Sequence, residues 1–319
     1  MTILVTGVVG FIGAAVAGAL LEAGQTVIGL DDRSGPSMPA LVEQRLAALR
    51  MFPRFRYLDL DITEAGAAAA IAALAPERVI HLAARTGVRA SRHEPGRYLS
   101  TNVGGFGAVL EACRLAGCPR IVYASSSSVY GDGSAGPGDM GVPLNVYAAT
   151  KQADERIAAG YAASFGLHIT GLRFFTVYGP NGRPDMAIWQ FVEAMLEGRS
   201  VLLHGEGRMT RDFTWIDDVV ECVIRVLDLP HTKPGSADVY DVGMGAPVAL
   251  TTVVSLLEAS LGVRAEVRLV AGPAGEMADT RANPEPLRAV IGYAPSTPPG
   301  QGMPIFAAWL RGWRAATFA

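Results

Sequence analysis

Thr2-Ile3-Leu4-Val5-Thr6-Gly7-Val8-Val9-Gly10-Phe11-Ile12-Gly13 decides the fold. An apolar, β-branched run ends at Thr6 and is followed by three glycines spaced GxxGxxG. Glycines there let the backbone turn tightly, approach a pyrophosphate closely and pack the next helix on the sheet. The N-terminus of that helix offers amide donors and a favourable dipole to an anion. Gly7, Gly10, Phe11, Ile12 and Gly13 are therefore candidate dinucleotide contacts. A glycine-rich turn that holds nothing is the plainer alternative.

Working outward, Thr26–Leu30 is a second strand, and Asp31 and Asp32 end it about twenty residues after the turn. A carboxylate there accepts hydrogen bonds from ribose hydroxyls and repels a 2′-phosphate, so NAD is expected rather than NADP. Strand-like runs then alternate with helical stretches: Phe55–Leu58, Arg78–Leu82, Arg120–Ala124 and His168–Leu172, with helices near Pro39–Arg50, Glu64–Leu74, Arg97–Ala116 and Val146–Phe165. Continuous apolar strands between helices predict an α/β fold, a doubly wound parallel sheet of Rossmann type. Asp61-Ile62 and Leu82-Ala83-Ala84 follow strands three and four, at the carboxyl ends where such ligands rest.

Past Arg173 the alternation loosens. A helix near Met186–Glu197 and strands at Val201–Leu203 and Asp212–Trp215 precede a helix at Asp217–Leu227, and Val239–Val242 can return to the large sheet. The expected division is a cofactor domain over 1–173 with a return at about 211–243. A smaller, discontinuous α/β substrate domain takes 174–210 and 244–319. A Pro/Gly-rich stretch, Pro295–Pro304, lies near the end.

Composition narrows the function. The chain has 319 residues, enough for about two domains, and half of them are apolar. Lys and Arg total 27 against 30 Asp and Glu, with no charged block, which argues against a nucleic-acid partner. Three cysteines without a CxxC and five histidines without HxxxH argue against a disulfide framework or a metal site, and fit a reducing cytoplasm. Val8–Leu21 is apolar enough to suggest a signal-peptide core. It has no preceding Lys or Arg, carries internal glycines and is too short for a bilayer, so no membrane partner is expected.

Only two lysines occur, Lys151 and Lys233. Lys151 lies four residues after Tyr147 at the start of a long helix, so phenol and ammonium share a face. A free tyrosine ionises near 10 and is a poor base at neutral pH; a nearby ammonium stabilises its phenolate. Ser125-Ser126-Ser127-Ser128 follows the fifth strand and could supply hydroxyls to a substrate oxygen, or be a polar loop.

Together these pieces resemble the extended short-chain dehydrogenases that act on nucleotide sugars. The resemblance rests on TGVVGFIG, Asp31, DLDIT, HLAA, YASSSSVYG, YAATK, LRFFTVYGP and RDFTWIDD, covering residue 2 to about 230. Within that family the chain is most similar to UDP-glucuronate 4-epimerases, through GVRASRHEP, YASSSSVYG and LRFFTVYGPNGRPDMAIWQF. The resemblance implies Tyr147 as general base, Lys151 as its electrostatic partner and Ser126 as the hydroxyl sharing the proton. Asn102 and Phe174 join the cofactor set. Arg211 would hold the nucleotide diphosphate, and Thr176 stands where glucose-type epimerases place Asn. Ser127, Ser128 and Thr176 would donate to a sugar carboxylate. Arg183 is a gate, a charge partner or a solvated loop arginine; His204 a stacking or a surface histidine; Arg89 a sugar or phosphate contact.

Dehydratases and decarboxylases of this family carry acids at the positions of Ser127 or Ser128, and this chain has none. Relatives dimerise through the helices near Arg97–Ala116 and Val146–Phe165, so a homodimer is expected. The competing expectations are a UDP-glucose/UDP-galactose 4-epimerase, a keto-sugar reductase and a catalytically idle NAD-binding protein.

Overall fold

The computed structural model describes residues 1–35, 38–133, 138–230, 235–272, 275 and 277–318. His231 and Lys233 lie outside them. Seven strands form one parallel sheet: β1 (Thr2–Thr6), β2 (Thr26–Asp31), β3 (Phe55–Asp59), β4 (Arg78–His81), β5 (Arg120–Ser126), β6 (His168–Phe174) and β7 (Ala237–Val242). Their spatial order is β7-β6-β5-β4-β1-β2-β3. The order reverses beside β1, so the carboxyl ends of β1 and β4 flank an open crevice, the place where such sheets bind ligands.

The sheet is covered on both faces, and the strand residues divide accordingly. Ile3 and Val5 of β1, Ile80 of β4 and Val122 of β5 join one apolar cluster, with Val16 and Leu20 of the helix Phe11–Glu22 and Val219 and Val223 of Ile216–Leu227. Leu4, Val79, Ile121 and Tyr123 point the other way and pack with Phe106, Val109 and Ala158. Successive strand side chains must face opposite ways, so a sheet buried on both sides is apolar at most positions rather than at alternate ones. That is why these strands read as largely apolar runs.

Val239–Val242 does return to the sheet, as part of the longer β7 paired in parallel with β6. Other expectations change in detail. The helix expected near Glu64–Leu74 covers only Ala67–Ala72, because Gly66 before it adopts a left-handed conformation. The helix expected at Arg97–Ala116 is not one α-helix. Pro95–Tyr98 is α, Leu99–Gly105 is a π segment and Phe106–Ala116 is α again. The serine run does not simply follow β5: Ser125 and Ser126 are its last residues, and Ser127–Tyr130 forms a 3₁₀ turn. The second half of the Pro/Gly-rich stretch belongs to a helix, Pro299–Phe318, which opens on Pro299 and carries Pro304 inside it. A proline opening a helix forfeits no hydrogen bond, since the first-turn amides have no partner in the helix.

Candidate active site

The glycine turn leaves no room for side chains. Gly7 has φ 69°, and a Cβ on it would lie 2.7 Å from Ala83 N and from the Leu82 carbonyl carbon. A Cβ on Gly13 would sit 2.1 Å from Gly7 O. The space so preserved continues as a crevice lined by Gly7, Gly10, Phe11, Ile12, Gly13, Asp31, Asp32, Asp61, Ile62, Leu82, Ala83 and Ala84, and further along by Ser126, Tyr147, Lys151 and Phe174. A second cavity of about 980 Å³ adjoins it, lined by Arg89, Ser127, Ser128, Thr176, His204 and Arg211 among others. Ser126, Tyr147, Phe174 and Arg183 line both. Every site residue expected from sequence lines one of these spaces except Asn102.

Asn102 is buried by the π segment and serves as a clasp. Its amide accepts from Arg85 N (2.7 Å), donates to Arg85 O (3.1 Å) and donates to Thr150 Oγ1 (3.0 Å). It fastens the chain beyond β4 to the helix bearing Tyr147 and is not in the crevice wall.

The Tyr147 helix starts where it does because Asn145 caps it, its Oδ1 accepting from Ala148 N at 2.8 Å. Tyr147 therefore lies in the first turn, at the crevice, with Lys151 one turn deeper. Lys151 is buried; its Nζ donates to Ala124 O and to Asp154 Oδ2, both at 3.0 Å. Burial is the largest influence and opposes its charge, but Asp154, the Tyr147 phenol and Glu155 together outweigh it and raise the ammonium's affinity for its proton. Ser126 Oγ accepts from Ser128 N at 3.2 Å, which orients the hydroxyl. Ser128 Oγ is buried with no hydrogen-bond partner among the described residues, an orphan polar group that a ligand would satisfy.

The Asp31 carboxylate accepts from Val9 N (3.1 Å) and Arg33 N (2.8 Å), so it is fixed to the glycine turn. Burial raises its affinity for a proton, and those two amides work against that. Asp61 Oδ1 is taken by Thr63 N and Oγ1, both at 2.8 Å. Arg183 is not a solvated loop arginine. It is four-fifths buried and forked onto Asp185, 2.9 Å from Nε to Oδ1 and 2.5 Å from a terminal nitrogen to Oδ2. The Arg211 guanidinium donates to Thr210 O and Ala278 O, both at 2.8 Å. Among the described residues no cluster of His, Cys, Asp or Glu could hold a metal ion.

Several residues that build the site were not expected. Arg45, on the helix Pro39–Arg50, is buried and donates to Val9 O (2.9 Å), Asn181 O (2.6 Å) and Gly182 O (3.1 Å). It ties the glycine turn to the loop carrying Arg183. The helix face it shares with Leu41, Val42, Leu46 and Leu49 marks it as buried, but nothing in the sequence names the loop it meets. Asp212 is fully buried and accepts from Met244 N, Gly245 N and Ala282 N at 3.0, 2.8 and 2.9 Å, organising the backbone beside Arg211.

His81 is a core histidine, as a strand position suggests, 2.8 Å from Thr6 Oγ1 through Nδ1. Burial, and then the charge of Lys151, hold it down to about 3. In the unfolded chain it takes up a proton near the ordinary 6.5. Its contribution to stability is therefore complete above that value and drains as pH falls toward 3, by about 1.4 kcal/mol per pH unit. The stability gap between wild type and His81→Gln, from urea midpoints, should narrow between pH 7 and 5; a constant gap contradicts this.

Residues 3–243 match the family model described as NAD dependent epimerase/dehydratase family, and the chain belongs to that family. Over 98% of its length it is 38% identical to UDP-glucuronate 4-epimerase 3 of Arabidopsis thaliana, covering 77% of that protein. It is 36% identical to a probable UDP-glucuronate 4-epimerase of Rhizobium meliloti (strain 1021), over 97% of the chain and 96% of the relative. The structure superposes on the UDP-glucuronic acid 4-epimerase of Bacillus cereus, solved with UDP-glucuronic acid and NAD, with a TM-score of 0.91 at 30% identity, covering 98% and 100% of the two chains. It also resembles MoeE5 solved with UDP-glucose and NAD: TM-score 0.87, 32% identity, 98% and 99% coverage.

Proposed function

We propose that the chain converts UDP-glucuronate to UDP-galacturonate, inverting C4 through a transient ketone, with NAD held throughout. The observation that carries this reading is the shared wall. Ser126 and Tyr147 face both the dinucleotide crevice and the larger cavity, so one hydroxyl of a sugar can meet a base and a redox partner together. The crevice fits the dinucleotide: bare glycines where the pyrophosphate would pass, and Asp31 and Asp32 at the adenosine ribose. When bound, NAD supplies a reversible hydride acceptor.

Tyr147 takes the proton of the 4-hydroxyl and returns it on the way back. Lys151 stabilises the phenolate, and two of its three donors are already committed, leaving one for a ligand. Ser126 shares the proton at the 4-oxygen. The glucuronate ketone is a β-keto acid that loses CO₂ when its carboxylate bond aligns with the carbonyl. Ser127, Ser128 and Thr176 hold that carboxylate by neutral donors, and the orphan Ser128 hydroxyl supports this assignment. Arg211 takes the diphosphate, His204 and Arg89 the outer parts of the nucleotide sugar, and Arg183 stands over the sugar as its charge partner. Residues 1–173 with 211–243 hold the cofactor, and 174–210 with 244–319 the nucleotide sugar.

Two copies pair through the helices near 97–116 and 146–165, where Leu99, Leu115 and Phe165 are more than half exposed. No helix among the described residues is long and apolar enough to cross a membrane. The three cysteines are free thiols, which supports a reducing, cytoplasmic setting.

A second reading, UDP-glucose/UDP-galactose epimerisation, is supported by the likeness to the MoeE5 structure that holds UDP-glucose. One experiment tests both. Purified protein is incubated with UDP-glucuronate, or with UDP-glucose, without added cofactor, and the sugars are resolved by NMR. The expected result is the galacturonate epimer without pentose, formed faster than any galactose product. No epimer, or pentose as the main product, would end the first reading.

A further inference from the structure

We propose that Asp154 is a positioning residue for the base: its carboxylate pins the Lys151 ammonium in place and cancels part of the charge that the ammonium presents to the Tyr147 phenol. The inference rests on Tyr147 being the base. Lys151 Nζ and Asp154 Oδ2 are 3.0 Å apart, and both side chains are at most 3% exposed. A counter-charge this close, with almost no water between, is screened far less than a surface pair. Asp154 Oδ1 is buried with no hydrogen-bond partner among the described residues. Its other oxygen, Oδ2, is the one that accepts from Lys151.

The other charges around the pair do not perform the same task. On the same helix, Glu155 is neutralised by Arg173 of β6, at 2.8 Å. Tyr123 of β5 faces Asp154 and Glu155, and burial raises its phenol well above the ordinary value, so it stays neutral. His81 of β4 is neutral beside Lys151. Asp154 is thus the anion matched to the catalytic lysine. Burial pushes it up to about 6, with Lys151 pulling the other way. It therefore gives up its charge as the solution is acidified, and the Lys151 field at the phenol then strengthens.

The test compares Asp154→Asn, which keeps the shape and one acceptor, with wild type. Phenolate ionisation is followed by near-ultraviolet difference titration of the NAD-loaded protein, subtracting Tyr147→Phe in each background. The variant should ionise about half to one pH unit lower. The acid limb of kcat/KM should move the same way. Asp154→Ser, smaller and also neutral, should reproduce the direction. An unmoved titration in both variants overturns the proposal. So does an upward shift, which would mean that the carboxylate's support of the ammonium's proton outweighs its opposition to the ammonium's field. The titration needs no sugar, so a chain that shows the shift but does not epimerise UDP-glucuronate would defeat the proposed function and leave this inference standing.

Discussion

Tyr147→Phe should lower kcat for UDP-glucuronate epimerisation by about a thousandfold, within the range of 10²–10⁴ expected when a general base is removed. The substitution deletes one oxygen and keeps the ring. That ring packs edge-on against Tyr98, with centroids 6.3 Å apart, and this contact survives. The cap at Asn145 is untouched, so Lys151 and the crevice wall keep their places. NAD content after denaturation and affinity for UDP-glucuronate should therefore stay near wild type, while the chemical step fails. Activity within tenfold of wild type, with normal NAD content, would remove Tyr147 from the role of base.

Arg173→Met should cost about 3–5 kcal/mol of stability, because it strands a buried carboxylate. Arg173 forks onto Glu155 through Nε (3.0 Å) and a terminal nitrogen (2.8 Å) and also donates to the Tyr130 hydroxyl at 2.9 Å. Burial works against its charge, but Glu155 and Tyr130 raise its hold on the proton. The same Glu155 accepts from Ser125 Oγ at 2.5 Å, next to Ser126. The loss should thus appear twice, as a lower thermal midpoint and as disturbed turnover. Arg173→Met with Glu155→Met removes both charges and should recover much of the stability, since apolar residues of similar size often replace a buried pair without loss. A double variant no more stable than the single one would show that the charge left unpaired is not the cause.

The readable parts of this molecule are those that local geometry enforces. The glycine turn, the acids ending β2 and the Tyr147/Lys151 spacing each need only neighbours in sequence, and the structure puts them along one crevice. The strands were legible because a sheet covered on both faces is apolar at most of its positions. What escaped depends on how distant elements meet. Arg45 looks like an ordinary helix arginine until the loop at Asn181 and Gly182 is seen to lie against it. Asp154 and Glu155 read as an adjacent acidic pair, and only packing against β5 and β6 assigns one to Lys151 and the other to Arg173. Asn102 falls on a helical stretch of ordinary composition, and the widened turn that swings it inward leaves no pattern of period 3.6 to detect.

Gln44 accepts a hydrogen bond from the Trp313 indole at 2.7 Å, and its amide lies 3.3 Å from Asn181 Oδ1. One amide thus joins the last helix of the chain to the loop that carries Arg183, so a substitution at Trp313 reaches a wall of the sugar pocket from the opposite end of the sequence.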